Sequence, residues 1–109
     1  MVESKNVVTS ILYEKHLIDI LDYGIETFGY AQARKYFNTI SRVVENLETD
    51  YYHHPQCRFL ETQSRKYRNI ILDAHLIIYR ITSQNIEVLD IIHSASSIGK
   101  IRSVRKIHL

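Results

Sequence analysis

Four side chains in the second half of the chain carry the chemistry of proton transfer and charge stabilisation: His75, Tyr79, His93 and Arg68. Imidazole titrates near neutrality and a phenol hydroxyl can donate, so this set suits general acid–base work beside a guanidinium. Strand parity puts His75, Ile77, Tyr79 and Ile81 on one face and Leu76, Ile78 and Arg80 on the other, so His75 and Tyr79 can line one site. The competing account is structural and weighs more: a His and a Tyr among isoleucines read as hydrogen-bonded core members. Arg68 and Arg80 also stand among apolar strand residues, where an unpaired charge is costly to bury. For these two, an ion pair at a sheet edge with an acid such as Glu87 and a contact to a partner weigh equally.

His53, His54 and Cys57 offer imidazole and thiolate, both good zinc ligands. No second cysteine or spaced histidine pair completes four ligands, so the segment reads as a solvated loop and neither metal nor cofactor is expected. Lys100, Arg102, Arg105 and Lys106 form a different group, four cations in the last ten residues without an acid. They are the first choice for an exposed contact, either to an acidic protein segment or to nucleic acid. The aromatic residues Tyr23, Phe28, Tyr30, Tyr36 and Phe37 fall at helical spacing and read as core.

These residues must be positioned by a chain of 109 residues, 45% of them hydrophobic, which is sized for one domain over 1–109 with its own core. Cys57 is the only cysteine, so no internal disulfide is possible. With no secretory pattern, a reducing cytoplasm is the expected compartment. No uncharged apolar run approaches the roughly 20 residues that a membrane span needs. The net charge of +2 hides an asymmetry: residues 1–50 hold five Lys/Arg against eight Asp/Glu, and residues 51–109 hold nine against four. A basic second half points to phosphate or an acidic protein as partner.

Asn6 to Leu12 is rich in β-branched residues and predicts a strand. From Tyr13, Leu17, Ile18, Leu21, Ile25 and Phe28 recur at three and four, an amphipathic helix that should stop at Gly29. Gly24 inside it lowers helix stability by about 1 kcal/mol relative to Ala, which points to a close crossing there. A second helical period runs through Ala33, Tyr36, Phe37, Ile40, Val44 and Leu47, and the short link makes a helical hairpin. Periodicity is lost between Thr49 and Lys66. Three strands follow, Tyr67 to Leu72, His75 to Ile81 and Ile86 to His93, joined by connections short enough for an antiparallel meander. The tail predicts a short basic helix or arm after Ser96 or Ser97. The fold class is α+β, in the order β-α-α-β-β-β, with the hairpin packed on a mostly antiparallel sheet.

With these residues in it, that order resembles the RelE/ParE toxin superfamily over nearly the whole chain. The likeness rests on Asp19-Ile20-Leu21-Asp22-Tyr23 followed by Phe28-Gly29 and Ala33, on Cys57-Arg58-Phe59-Leu60, on His75 to Ile81 as central strand, and on Ile86 to His93 as last strand. The resemblance implies a type II toxin held inactive by a small antitoxin. Similar proteins either cleave messenger RNA on the ribosome or poison DNA gyrase. RNA cleavage through the 2′-hydroxyl requires a base, an acid and cations converging on the sheet face. The ribonuclease branch usually has an Arg beside the Tyr that opens the central strand, where this chain has His75 and Leu76. Basic residues are also missing from Asn69 to Leu72 and Ser94 to Ser97. These departures favour the ParE branch and a gyrase-binding inhibitor. The alternatives are an endoribonuclease using His75, Tyr79, His93 or Arg68, and a non-toxic relative that only binds a partner. In the binding reading, Arg68, Arg80 and the four tail cations contact target or antitoxin.

Overall fold

Ser10 divides the first strand from the first helix in the computed structural model, which describes residues 2–109. β1 covers Asn6–Thr9 and α1 covers Ile11–Phe28. The Ser10 hydroxyl oxygen accepts from the Tyr13 N–H at 2.9 Å, and the hydroxyl donates to the Leu89 carbonyl. The strand expected to reach Leu12 therefore stops at Thr9. A side chain that satisfies an orphan N–H favours starting the helix over extending the strand.

α1 ends at Gly29, whose φ of 91° and ψ of 162° are accessible essentially to glycine alone. That one residue reverses the chain into α2, Tyr30–Glu45. The helices approach closely at Gly24, where a Cβ would stand 3.1 Å from the Ala33 Cβ. A one-turn α3, Leu47–Asp50, leads into the irregular segment, and then β2 (Tyr67–Ile71), β3 (His75–Ile81) and β4 (Asn85–His93) form the antiparallel meander. β1 joins β4 in parallel, giving the order β1-β4-β3-β2. The fold is the expected α+β arrangement of a helical hairpin on a mostly antiparallel sheet.

Both faces of the sheet are covered. On one, Tyr13, Ile40, Val44 and Leu47 of the helical segment pack on Ile70, Ile77, Tyr79, Ile86, Val88 and Ile91. On the other lies the tail: α4 (Ile98–Ser103), capped by Ser97, runs into a 3-10 turn at Val104–Lys106. Ile101 and Val104 join Cys57 and Leu60 over Tyr67, Ile78, Leu89 and Ile92. Burying each such aliphatic side chain contributes roughly 1.5–3 kcal/mol, which holds the tail as a helix on the sheet rather than as a free arm.

The aromatic residues divide. Tyr36 and Phe37 are half-buried, but Tyr23, Phe28 and Tyr30 are 65%, 58% and 62% exposed, and Ile18 is 57% exposed. Their assignment to the core is corrected, because the packed cluster reaches only as far as Ile20 and Tyr36 and the hairpin tip extends beyond it. No helix among the described residues is long and apolar enough to cross a membrane.

Candidate functional site

An irregularity in the sheet decides which side chains meet. Ile81 pairs with Ile86, and an uninterrupted register would set His75 opposite Ile92. Between Ile78 and Tyr79 the register shifts, since Ile78 faces Asp90 while Tyr79 faces Val88, and Leu89 is the extra residue of a β-bulge. Such a bulge re-aims the side chains beyond it. His93 consequently stands opposite His75, with ring centroids 5.8 Å apart and the rings edge to face.

These two histidines line a cleft of about 310 Å³ between α1, the end of the β3–β4 hairpin and the tail. α1 contributes His16 and Asp19, and the tail contributes Ser96 and Lys100. His16 Nδ1 lies 2.6 Å from the Asp90 carboxylate, which also accepts the Ile91 N–H at 2.8 Å. Asp90 is 3% exposed, so its charge depends on those two donors. His75 Nδ1 lies 2.8 Å from the Tyr36 hydroxyl on α2. Burial, followed by the neighbouring His93, holds the His75 imidazole below its ordinary pKa. His93 is exposed and its Nδ1 accepts the Ala95 N–H at 3.1 Å.

Of the other sequence candidates, Tyr79 is fully buried and its hydroxyl donates to the Tyr51 carbonyl at 2.6 Å. Burial raises its phenol far above the ordinary range, so it presents no proton donor to an outside substrate. His75 and Tyr79 share a sheet face but not a site. Arg68 pairs with no acid among the described residues: its guanidinium donates to the carbonyls of Tyr52, His54 and Arg65 and lies over the Tyr52 ring, pinning the irregular segment to β2. Arg80 donates from Nε to Glu87 at 2.7 Å on the tail side of the sheet, beside Tyr67.

The tail cations are arranged differently. Ile101 and Val104 face the sheet, and Lys100, Arg102, Arg105 and Lys106 are all exposed. Arg102 and Arg58 both approach the ring of Phe59, a residue held at φ 68°. Cys57 beneath them is buried, and burial pushes its thiol up to about 11. His53 is exposed in the loop and His54 half-buried. Among the described residues no group of three or more His, Cys, Asp or Glu side chains is placed to hold a metal ion. A second cleft, of about 370 Å³, lies where Ile107–Leu109 meet the start of α1 and carries little chemistry besides Lys15 and His108.

Sequence reasoning missed His16, Asp90 and Tyr36 as site residues. Asp90 was the available signal, because a carboxylate inside Val88-Leu89-Asp90-Ile91-Ile92 requires a buried partner. Nothing local identifies that partner, which lies 74 residues away.

Comparison with known proteins bears on the whole domain. A family model described as the ParE toxin of the type II toxin-antitoxin system, parDE, matches residues 7–98. A solved structure described as the chromosomal ParDE TA system from P. aeruginosa is similar in fold, with a TM-score of 0.69 at 18% sequence identity, over 84% of this chain and 97% of that one. A search of curated proteins finds no match.

Proposed function

Because the chain belongs to the ParE toxin family of type II toxin–antitoxin systems, we propose that it acts in the cytoplasm by binding and inhibiting DNA gyrase, without chemistry of its own. A co-encoded antitoxin, whose flexible segment covers a groove of the toxin, silences it. The observation that carries this reading is how the fold uses its polar groups. Tyr79 and Arg68, which a ribonuclease would need at its surface, are committed to backbone carbonyls. Arg80 is committed to Glu87, whereas Lys100, Arg102, Arg105 and Lys106 stand exposed on a helix locked to the sheet. A rigid basic surface fits an acidic antitoxin segment or a partner that itself carries DNA, and supplies steering more than catalysis.

Inducing the chain alone in a bacterium, with plasmid topology and messenger integrity followed together, tests the reading. The expected outcome is arrested growth with disturbed supercoiling and intact messages. Purified toxin should inhibit supercoiling by gyrase, and replacing the four tail cations by Gln should relieve that inhibition. Rapid cutting of messages with normal supercoiling overturns it in favour of an endoribonuclease working on the ribosome or on free mRNA through His75 and His93. Normal growth overturns it in favour of a relative that only binds its partner.

A further inference from the structure

We propose that the cleft between α1, the β3–β4 end and α4 is a binding site for a phosphodiester group of a nucleic-acid backbone, held by His75, His93 and Lys100. The site goes beyond the gyrase reading and does not rest on it.

Three imidazoles line the cleft, and each is anchored through Nδ1 to an internal partner: His16 to Asp90, His75 to Tyr36 and His93 to the Ala95 N–H. Among the described residues no buried side-chain nitrogen or oxygen lacks a partner. The Nε2 atoms of His16 and His75, which make no internal hydrogen bond among the described residues, are therefore open to solvent, and His93 is itself exposed. The anchors also fix where the protons sit. The Ala95 N–H can only donate, so neutral His93 carries its proton on Nε2. With the Tyr36 hydroxyl donating to His75 Nδ1, 2.8 Å away, the His75 proton sits on Nε2 as well. A carboxylate can only accept, so His16 donates from Nδ1 to Asp90 and its Nε2 is bare until the ring is protonated.

Neutral His75 and His93 thus present two N–H donors side by side, 5.8 Å between ring centroids, and Lys100, which has no acidic partner among the described residues, lines the same cleft. Donors converging from β3, β4 and α4 match the oxygens of a phosphate group, and charge-assisted hydrogen bonds of this kind are the strong ones. The negative charge beneath, Asp90, is already satisfied by His16 and the Ile91 N–H. Asp19 is the carboxylate that opposes an anion here.

Binding is linked to protons. The titratable groups lining the cleft are His16 and Asp19 from α1, His75 from β3, His93 from β4 and Lys100 from α4; behind them stand Asp90, bonded to His16, and Tyr36, bonded to His75, with Asp73 near Tyr36. An anion favours every imidazolium form and is favoured by it in return, so affinity rises as pH falls. A diester keeps one negative charge across this range, so the trend reports the protein.

The test is a titration of the purified full chain with the dinucleotides TpT and ApA, and separately with inorganic phosphate, read from the histidine ring 15N resonances. We expect saturable shifts of His75 and His93 with either dinucleotide, with binding tighter at pH 6 than at pH 8 by about tenfold. Lys100→Gln and His93→Gln, both at exposed positions, should each weaken binding by about tenfold, and Asp19→Asn should tighten it a few-fold. Absence of saturation, full affinity in both weakening variants, or binding of inorganic phosphate without either dinucleotide overturns the proposal. Because gyrase is absent from the titration, its failure is distinguishable from failure of the gyrase reading.

Discussion

Tyr79→Phe separates the structural role of this tyrosine from any chemical one. The phenol ring is fully buried between the sheet and the helical segment, and Phe keeps its volume, so no cavity forms. What is lost is the 2.6 Å hydrogen bond to the Tyr51 carbonyl, for which no other intramolecular donor is present among the described residues. Net loss of a buried bond together with an acceptor left unpaired costs about 1–2 kcal/mol. A chain of 109 residues unfolds with an entropy of roughly 0.23 kcal/mol/K, so the melting temperature should fall by about 4–9 °C. Circular dichroism melts of wild type and variant measure this, with gyrase inhibition assayed well below both transitions. The expected result is a lower Tm with unchanged inhibition. An unchanged Tm together with lost toxicity would falsify the placement of the hydroxyl in the core and return Tyr79 to the surface as a functional group.

Gly24→Leu should destabilise the fold by about 1–3 kcal/mol, since even a Cβ there stands 3.1 Å from Ala33 Cβ, and urea unfolding will show a lower midpoint if the helices touch as described. Cys57, buried and with its thiol pushed up to about 11, should resist alkylation at pH 8 in the folded protein and react fully in denaturant, as counted by mass spectrometry. Alkali should unfold the protein in a defined window. Burial pushes Tyr13 up to about 12 and raises Tyr79 further, so the unfolded chain loses these protons first. Stability is then fully present below pH 10 and falls above it by about 1.4 kcal/mol per pH unit for each tyrosine. Denaturation midpoints that stay level from pH 9 to about pH 12 would contradict the burial of both phenols.

How much of this was legible follows from the range of each interaction. The helical hairpin was readable because its cause is local: Ala33, Ile40, Val44 and Leu47 recur at helical spacing, Gly29 alone suits the reversal, and Gly24 marks the close approach to Ala33. The meander was readable from its short connections. Ser10-Ile11-Leu12 extends a β-branched run, however, and its real role depends on the Leu89 carbonyl far along the chain, so local pattern alone carries the strand past its true end at Thr9. Tyr23, Phe28 and Tyr30 obey the helical period but lie past the end of the packed cluster, and periodicity carries no information about where the supporting sheet stops.

The site shows the same division more sharply. His75 and His93 stand out as ends of adjacent strands, yet alternation in an unbroken ladder sets His75 against Ile92 and turns His93 away. The extra residue at Leu89 cancels that slip, and it is stabilised by groups no local pattern reveals, the Ser10 hydroxyl on the Leu89 carbonyl and His16 on Asp90. A charged residue in an otherwise apolar strand was the one visible mark of this arrangement. Asp90 thereby ties fold to site: the same carboxylate that needs a buried partner fixes the orientation of His16 at the cleft. Any change that releases His16 from Asp90 should disturb both the bulge and the pairing of His75 with His93.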